Sequence, residues 1–256
     1  MFDFSEKVVL VTGAAGGIGR GLCEAFLGWG ATVYALDRDA GALAAMDVRL
    51  KTVAVDLTDL AATKTAIDSL VVAHGPVDIL VNNAGAAAAT ALATLKPEDW
   101  THDLAINLSA AYHCVEAVKM SMFARKAGVI INIGTVNAGL AIGHPAYSAA
   151  KAGLVSYTKA LAIEYGPLGI RANLVAPGTV KTQAWAERAA KKPEVFDDLK
   201  KWYPLRDFAD PKDIANAVAF LSCDLSRMIT GVVLPVDAGL TAGNPVLAAE
   251  LTLESF

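Results

Sequence analysis

The hydrophobic positions of this chain follow two alternating patterns. Seven short runs rich in β-branched residues, at 8–11, 32–36, 52–55, 79–82, 129–133, 172–175 and 232–236, are continuous rather than alternating in polarity, as in strands covered on both faces. The longer stretches between them carry apolar residues at helical spacing. Leu22, Ala25, Phe26 and Trp29 make one such stripe, and Ile214, Ala217, Val218 and Leu221 another, as expected where one helix face packs on a sheet. Strand followed by helix throughout predicts an α/β fold with a doubly wound, mostly parallel seven-stranded sheet and helices on both faces. No repeat, low-complexity tract or linker interrupts the pattern, so residues 1–256 read as one domain. Residues 181–212 stand apart, with eight Lys/Arg and six Asp/Glu out of the chain's 48 charges. A solvated surface helix explains this; the functional alternative is a mobile lid over a pocket.

Candidate chemistry sits where the predicted strands end. The stretch Thr12-Gly13-Ala14-Ala15-Gly16-Gly17-Ile18-Gly19 joins the first strand to the first helical stripe. Glycines there let backbone N–H groups approach a pyrophosphate, with Gly13 making the turn, Gly17 admitting the phosphates and Gly19 letting helix pack on strand, the Rossmann arrangement. Asp37 ends the second strand, 18 residues after Gly19, close to the spacing at which a carboxylate accepts hydrogen bonds from an adenosine ribose. A carboxylate there repels a 2′-phosphate, which favours NAD over NADP, although Arg38 follows it directly. Asp56 after the third strand is placed to take an adenine amino group, and Asn83, in Asn82-Asn83-Ala84-Gly85, to fix backbone beside the adenosine ribose. Tyr147 and Lys151 are four residues apart in a good helix-forming stretch and share one face. An adjacent ammonium and a cationic nicotinamide ring both favour phenolate, so Tyr147 is suited to exchange the proton of a substrate hydroxyl while hydride moves.

Composition narrows the classes further. With 22 Lys+Arg against 26 Asp+Glu the formal net charge is -4, and without a basic stripe nucleic acid is not an expected partner. The chain is 54% hydrophobic, yet no stretch reaches about 18 uninterrupted apolar residues, so no membrane partner is expected. The start lacks the pattern of a signal peptide, which predicts a cytoplasmic protein. Cys23, Cys114 and Cys223 are widely spaced, and His74, His102, His113 and His144 show no ligand spacing. Neither a disulfide framework nor a metal site is expected.

Taken together and in this order, the glycine motif, Asp37, Asn82-Asn83-Ala84-Gly85, Asn107, Thr135, Tyr147 with Lys151, and Pro177-Gly178-Thr179-Val180-Lys181-Thr182 resemble the short-chain dehydrogenase/reductase family from Lys7 to about Gly243. The resemblance implies roles: Tyr147 as acid/base, Lys151 holding the nicotinamide ribose and lowering the phenol pKa, Thr135 holding the substrate oxygen, and Asn107 supporting a proton-relay water. It extends the cofactor contacts to Ile18, Leu57, Ala84, Gly85, Pro177, Gly178, Val180 and Thr182, and implies a homotetramer. Thr135 departs from the family's usual serine, adding a methyl group and a stiffer χ1. The reading is an NAD(H)-dependent oxidoreductase for a secondary alcohol or ketone, with Asn137, His144 and Trp185 beside Thr135 and Tyr147 pointing to a sugar or polyol. Two alternatives compete: an NADPH-dependent 3-oxoacyl-carrier-protein reductase, and a non-catalytic dinucleotide-binding scaffold. The apolar segment within 244–256 is a candidate oligomer contact.

Overall fold

A computed structural model describes residues 2–254 of the chain. The elements in chain order are β1 (Val8–Thr12), α1 (Gly17–Gly28), β2 (Thr32–Asp37), α2 (Ala40–Ala44), β3 (Lys51–Ala54), α3 (Leu60–His74) and β4 (Ile79–Asn82). There follow α4 (Pro97–Leu104), a π-turn (Ala105–Ser109), α5 (Ala110–Arg125), β5 (Gly128–Ile133), α6 (Pro145–Tyr165) and β6 (Ile170–Pro177). The last part holds α7 (Gln183–Lys191), α8 (Val195–Lys200), α9 (Pro211–Ser222), β7 (Val233–Val236) and α10 (Pro245–Thr252).

The seven strands form one sheet in the order β3-β2-β1-β4-β5-β6-β7, and every neighbouring pair is parallel. The continuous apolar runs have a simple cause. Successive strand side chains point to opposite faces, so Val9, Val11, Ile79, Val81, Ile131 and Ile133 pack with Leu22 and Phe26 of α1 and Ile214 and Val218 of α9. Leu10, Leu80 and Ile130 point the other way, to Ile67 of α3 and Val115 and Met122 of α5. Both faces of the inner strands are therefore dry. The expectation of cover on both faces fails at the edges: β3 and β7 alternate buried or half-buried with exposed positions. Each has only one neighbouring strand, and Pro235 within β7 suits an edge, where no partner needs its N–H.

The order reverses at β1, which pairs with β2 on one side and β4 on the other. At such a switch point the helices leave in opposite directions and a crevice opens beyond the strand ends. One polar ladder fixes how deep α6 sits against that crevice. Asn82 Nδ2 donates to Asn132 Oδ1 (2.9 Å), Asn132 Nδ2 donates to Thr158 Oγ1 (2.8 Å), and Thr158 Oγ1 donates to the Leu154 carbonyl (2.7 Å). β4, β5 and α6 are thus joined through buried groups that have no water to fall back on. Thr158→Val keeps the shape and strands the Asn132 amide, so urea unfolding is expected to show a loss of about 1–3 kcal/mol.

Candidate active site

The strand ends open onto one cleft of 1270 Å³, lined at one end by Gly13, Gly16, Gly17, Ile18, Gly19 and Asp37 and at the other by Thr135, Tyr147 and Lys151. At the first end the backbone is held for close approach. Gly13 has φ +61°, and a Cβ there would lie 2.7 Å from Ala84 Cα; a Cβ on Gly19 would run into the Gly13 carbonyl oxygen. Asn83 secures the turn, its Nδ2 donating to the carbonyls of Thr12 (2.9 Å) and Gly13 (3.0 Å). No side chain caps the start of α1, which leaves the first-turn N–H groups available to an anion in the cleft. Thr182 lies over the turn: a Cβ on Gly17 would be 2.6 Å from Thr182 Cβ. Asp37 is fixed by N–H groups of Ala15 (3.0 Å) and Asp39 (3.1 Å), and both oxygens keep accepting capacity for ribose hydroxyls. These residues fit a dinucleotide.

At the other end, α6 presents Tyr147 and Lys151 one turn apart, facing the end of β5. Lys151 is 3% exposed, and its Nζ donates to the Ile133 carbonyl at 2.7 Å. Burial pushes its pKa down to about 8, because an ammonium away from water loses hydration. Room for it comes from Gly85, where a Cβ would sit 2.6 Å from Asn107 Oδ1 and 3.4 Å from Lys151 Nζ. Thr135 is buried, and its hydroxyl donates to Asn137 Oδ1 at 3.3 Å and accepts the Asn137 N–H at 3.3 Å. The lysine Nζ stands 5.8 Å from the phenol ring centroid.

Of the other expected residues, Asn137, His144, Asn83, Gly85, Pro177, Gly178, Val180, Thr182 and Trp185 also line the cleft, whereas Asp56, Leu57, Ala84 and Asn107 do not. The reasons are local. One oxygen of Asp56, Oδ1, accepts the N–H and hydroxyl of Thr58 (2.9 and 2.7 Å), closing the turn before α3, and the residue stays exposed. Leu57 is buried and its carbonyl takes a ring nitrogen of His113 at 2.8 Å. The Ala84 N–H is used by Thr12 Oγ1 at 3.0 Å. Asn107 lies in the π-turn, behind the cleft wall, with Nδ2 donating to the carbonyls of Ala86 (2.7 Å) and Asp103 (2.9 Å).

A family model described as Enoyl-(Acyl carrier protein) reductase matches residues 13–241. The chain is 55% identical to a solved oxidoreductase of the short-chain dehydrogenase/reductase family from Burkholderia thailandensis, with a TM-score of 0.92 over 98% of both chains. The chain belongs to the short-chain dehydrogenase/reductase family. Similar proteins in this family include an uncharacterised oxidoreductase of Schizosaccharomyces pombe, 45% identical over 97% of this chain and 96% of that one. A D-threitol dehydrogenase of Mycolicibacterium smegmatis is 38% identical over 94% of this chain and 95% of that one. Membership makes the protein an oxidoreductase and implies a nicotinamide dinucleotide cofactor.

Within this short-chain dehydrogenase/reductase, one electrostatic expectation needs correction. The phenol of Tyr147 is pushed up by burial, with the nearby Thr135 hydroxyl pulling the other way and the charge of Asp103 adding the smallest push. Without a ligand the protein does not favour phenolate, because burial of the phenol itself penalises its charged form more than its neighbours offset. The charged segment 181–212 is better anchored than its composition suggests. Trp185, Phe196, Phe208 and Tyr203 form a chain of ring contacts at 5.7, 5.2 and 4.8 Å, and Tyr203 shares a hydrogen bond with Thr179 at 2.8 Å. Sequence reasoning also missed Leu140, Ile142, Leu240, Thr241, Gly243 and Asn244 on the cleft wall, and the fully buried Asp103. The signal for Asp103 was available: it precedes Asn107 by four on a helix whose buried positions continue through Ala111 and Cys114. Among the described residues no cluster of His, Cys, Asp or Glu is placed to hold a metal, and no helix is long and apolar enough to cross a membrane.

The buried lysine has a consequence for stability. Its folded pKa of about 8 lies below the unfolded value near 10.4, so between those values the unfolded chain holds the proton more tightly. The lysine's own contribution to stability should therefore rise with pH across that window, with a slope approaching about 1.4 kcal/mol per pH unit, while the thiols of Cys23 and Cys114, pushed up to about 12 by burial, contribute in the opposite direction. Denaturant unfolding without cofactor is expected to show the stability of the lysine-bearing chain rising relative to that of Lys151→Met between about pH 8 and about pH 10, the contribution of the thiols cancelling in the difference.

Proposed function

We propose that this protein is an NAD(H)-dependent oxidoreductase that interconverts a secondary alcohol and a ketone on a small hydroxylated substrate of the polyol or sugar class. The observation that carries the reading is the placement of Thr135, Tyr147 and Lys151 at one end of the cleft whose other end holds Asp37. When bound, the nicotinamide supplies hydride transfer to or from the carbinol carbon. The chain supplies the rest. The Thr135 and Tyr147 hydroxyls, which line the same end of the cleft, both reach one substrate oxygen, and Tyr147 takes its proton in oxidation or returns one in reduction. Lys151 spends one N–H on Ile133, which aims the ammonium and leaves two donors for the nicotinamide ribose. Its charge, enhanced in effect by the dry surroundings, opposes the burial that raises the phenol.

NAD rather than NADP follows from the fixed Asp37 carboxylate, which accepts ribose hydroxyls and repels a 2′-phosphate. The substrate class rests on the neutral polar groups of the wall, Asn137, His144, Thr241 and Asn244, beside the Trp185 ring. The D-threitol dehydrogenase among the relatives supports it. The 181–212 segment closes over the substrate, and the start of α10 completes the wall. In this reading residues 1–256 act as one catalytic unit.

Initial rates with NAD and NADP on a panel of four- to six-carbon polyols test this directly. NAD is expected to be preferred, and Tyr147→Phe to lower kcat/KM by about 10²–10⁴; turnover unchanged by that substitution would overturn the mechanism. Replacing the charge, Asp37→Ser, is expected to shift the cofactor preference toward NADP by about tenfold or more, the order of one lost charge interaction at this spacing.

A further inference from the structure

Among the described residues that line the cleft, only Asp37, Lys151 and Arg188 carry a full charge at neutral pH. Two of the three are accounted for. The Asp37 carboxylate is held by the N–H groups of Ala15 and Asp39 at the adenosine end, and the Lys151 ammonium is buried against the Ile133 carbonyl. Arg188 has no such partner. It lies on α7, six residues beyond the Thr182 that covers the glycine turn, so helix rise sets it about 9 Å along from that contact. Three lysines of the same charged segment spend their charge on its carboxylates, Lys181 on Asp207, Lys192 on Asp198 and Lys200 on Asp197. None of those three lines the cleft.

The Arg188 guanidinium is placed by stacking. Its Cζ stands over the Trp185 ring at 4.9 Å, the two residues being one turn apart on one face of α7. Trp185 is in turn held by the ring contacts through Phe196 and Phe208 to Tyr203, whose hydroxyl meets Thr179 next to Gly178 at the end of β6. Stacking uses the face of a guanidinium and leaves its rim of N–H donors in the fork that fits a carboxylate or phosphate with two parallel bonds. Among the described residues no group accepts from those donors. The rest of the substrate end supplies no counter-charge. Asn137, Thr241 and Asn244 are neutral, His144 turns Nδ1 to the Ala89 carbonyl at 3.2 Å, and Ala86 and Ala87, of the strap 86–90 that follows β4, are apolar. Two cations without a carboxylate give that end of a concave site a positive field, which draws in an anion.

We propose that Arg188 is a specificity-determining residue that binds an oxyanion of the substrate, a carboxylate or a phosphate, so that the preferred substrate is an acidic derivative of a sugar or polyol rather than a neutral one. The inference deepens the proposed alcohol–ketone chemistry at Tyr147 and rests on it. Hydroxyls of such a substrate meet Asn137, Thr241 and Asn244, and its charge meets the guanidinium. A neutral polyol satisfies the first set and leaves the guanidinium to water. The stacked Trp185 ring holds the fork in one plane, so less side-chain freedom is lost when the oxyanion arrives.

The test is a set of kcat/KM values with NAD on four- to six-carbon compounds matched in chain length: the neutral polyol, the aldonate with one terminal carboxylate, and the polyol monophosphate. One of the two anionic compounds is expected to exceed the neutral one by about tenfold or more, and the one that does so identifies the oxyanion. In Arg188→Gln, which keeps hydrogen-bonding capacity without the charge, that ratio is expected to fall by about tenfold or more, chiefly through KM. Arg188→Lys is expected to recover part of it, since an ammonium supplies charge without the fork. Arg188 is exposed, so both variants are expected to fold. Anionic compounds no better than the neutral polyol overturn the proposal. So does a ratio that Arg188→Gln leaves in place, the result for a guanidinium that serves the cofactor phosphates or the packing of α7 and lowers all three values together. If neutral polyols turn over, Tyr147→Phe abolishes that turnover and the ratio is flat, this inference alone falls. If no compound of the set turns over, or Tyr147→Phe remains active, the proposed reaction falls and takes this inference with it.

Discussion

An ammonium group held almost out of contact with water is the demand around which this molecule is arranged. Lys151 sits at 3% exposure, its Nζ hydrogen-bonded to the Ile133 carbonyl at the end of β5. An ion that has lost its hydration interacts strongly with whatever charge remains near it. That makes the lysine effective toward a phenol on its own helix and also makes its position exacting. Gly85 clears the space, Asn107 bounds it, and the Asn82–Asn132–Thr158 ladder fixes the depth of α6 relative to the strand that supplies the carbonyl.

The same constraint explains why the two halves of the cleft lie on different elements. The glycine turn and Asp37 belong to β1 and β2, where a pyrophosphate and ribose need exposed backbone donors and a surface carboxylate. The acid/base pair belongs to β5 and α6, where burial strengthens each charge. The reversal of strand order at β1 opens the crevice between these halves, and the strap 86–90 spans it. Held at Ala86, Ala88, Ala89 and Thr90 by groups of three residues, Asn107, Asp103 and His144, the strap connects the cleft wall to the region behind it.

Much of this was legible in the residues. Strand and helix periods were strong because a sheet buried on both faces leaves long apolar runs, and Val9, Leu10 and Val11 each find a core on one side or the other. Gly13, Gly19 and Asp37 were legible because their spacing follows from the path of one strand–turn–helix unit. What was not legible has equally physical sources. Asp56 is read as a ligand for adenine from its place after a strand; Thr58 takes only one of its carboxylate oxygens, and the residue stays exposed. Asn107 is expected to support a proton-relay water; that it sits in a π-turn and grips the strap is invisible in hydrophobic periodicity. Asn244 and Thr241 reach the cleft only through long-range packing, and no local pattern encodes that.

The most direct measurement is a nuclear magnetic resonance titration of the lysine side-chain amines in the full chain, with Lys151→Met supplying the assignment. One resonance, missing from the variant, is expected to titrate near pH 8 while the remaining lysines titrate near their ordinary value of about 10.4. If no lysine titrates below about 10, the ammonium is not desolvated, and the electrostatic basis of the site is contradicted.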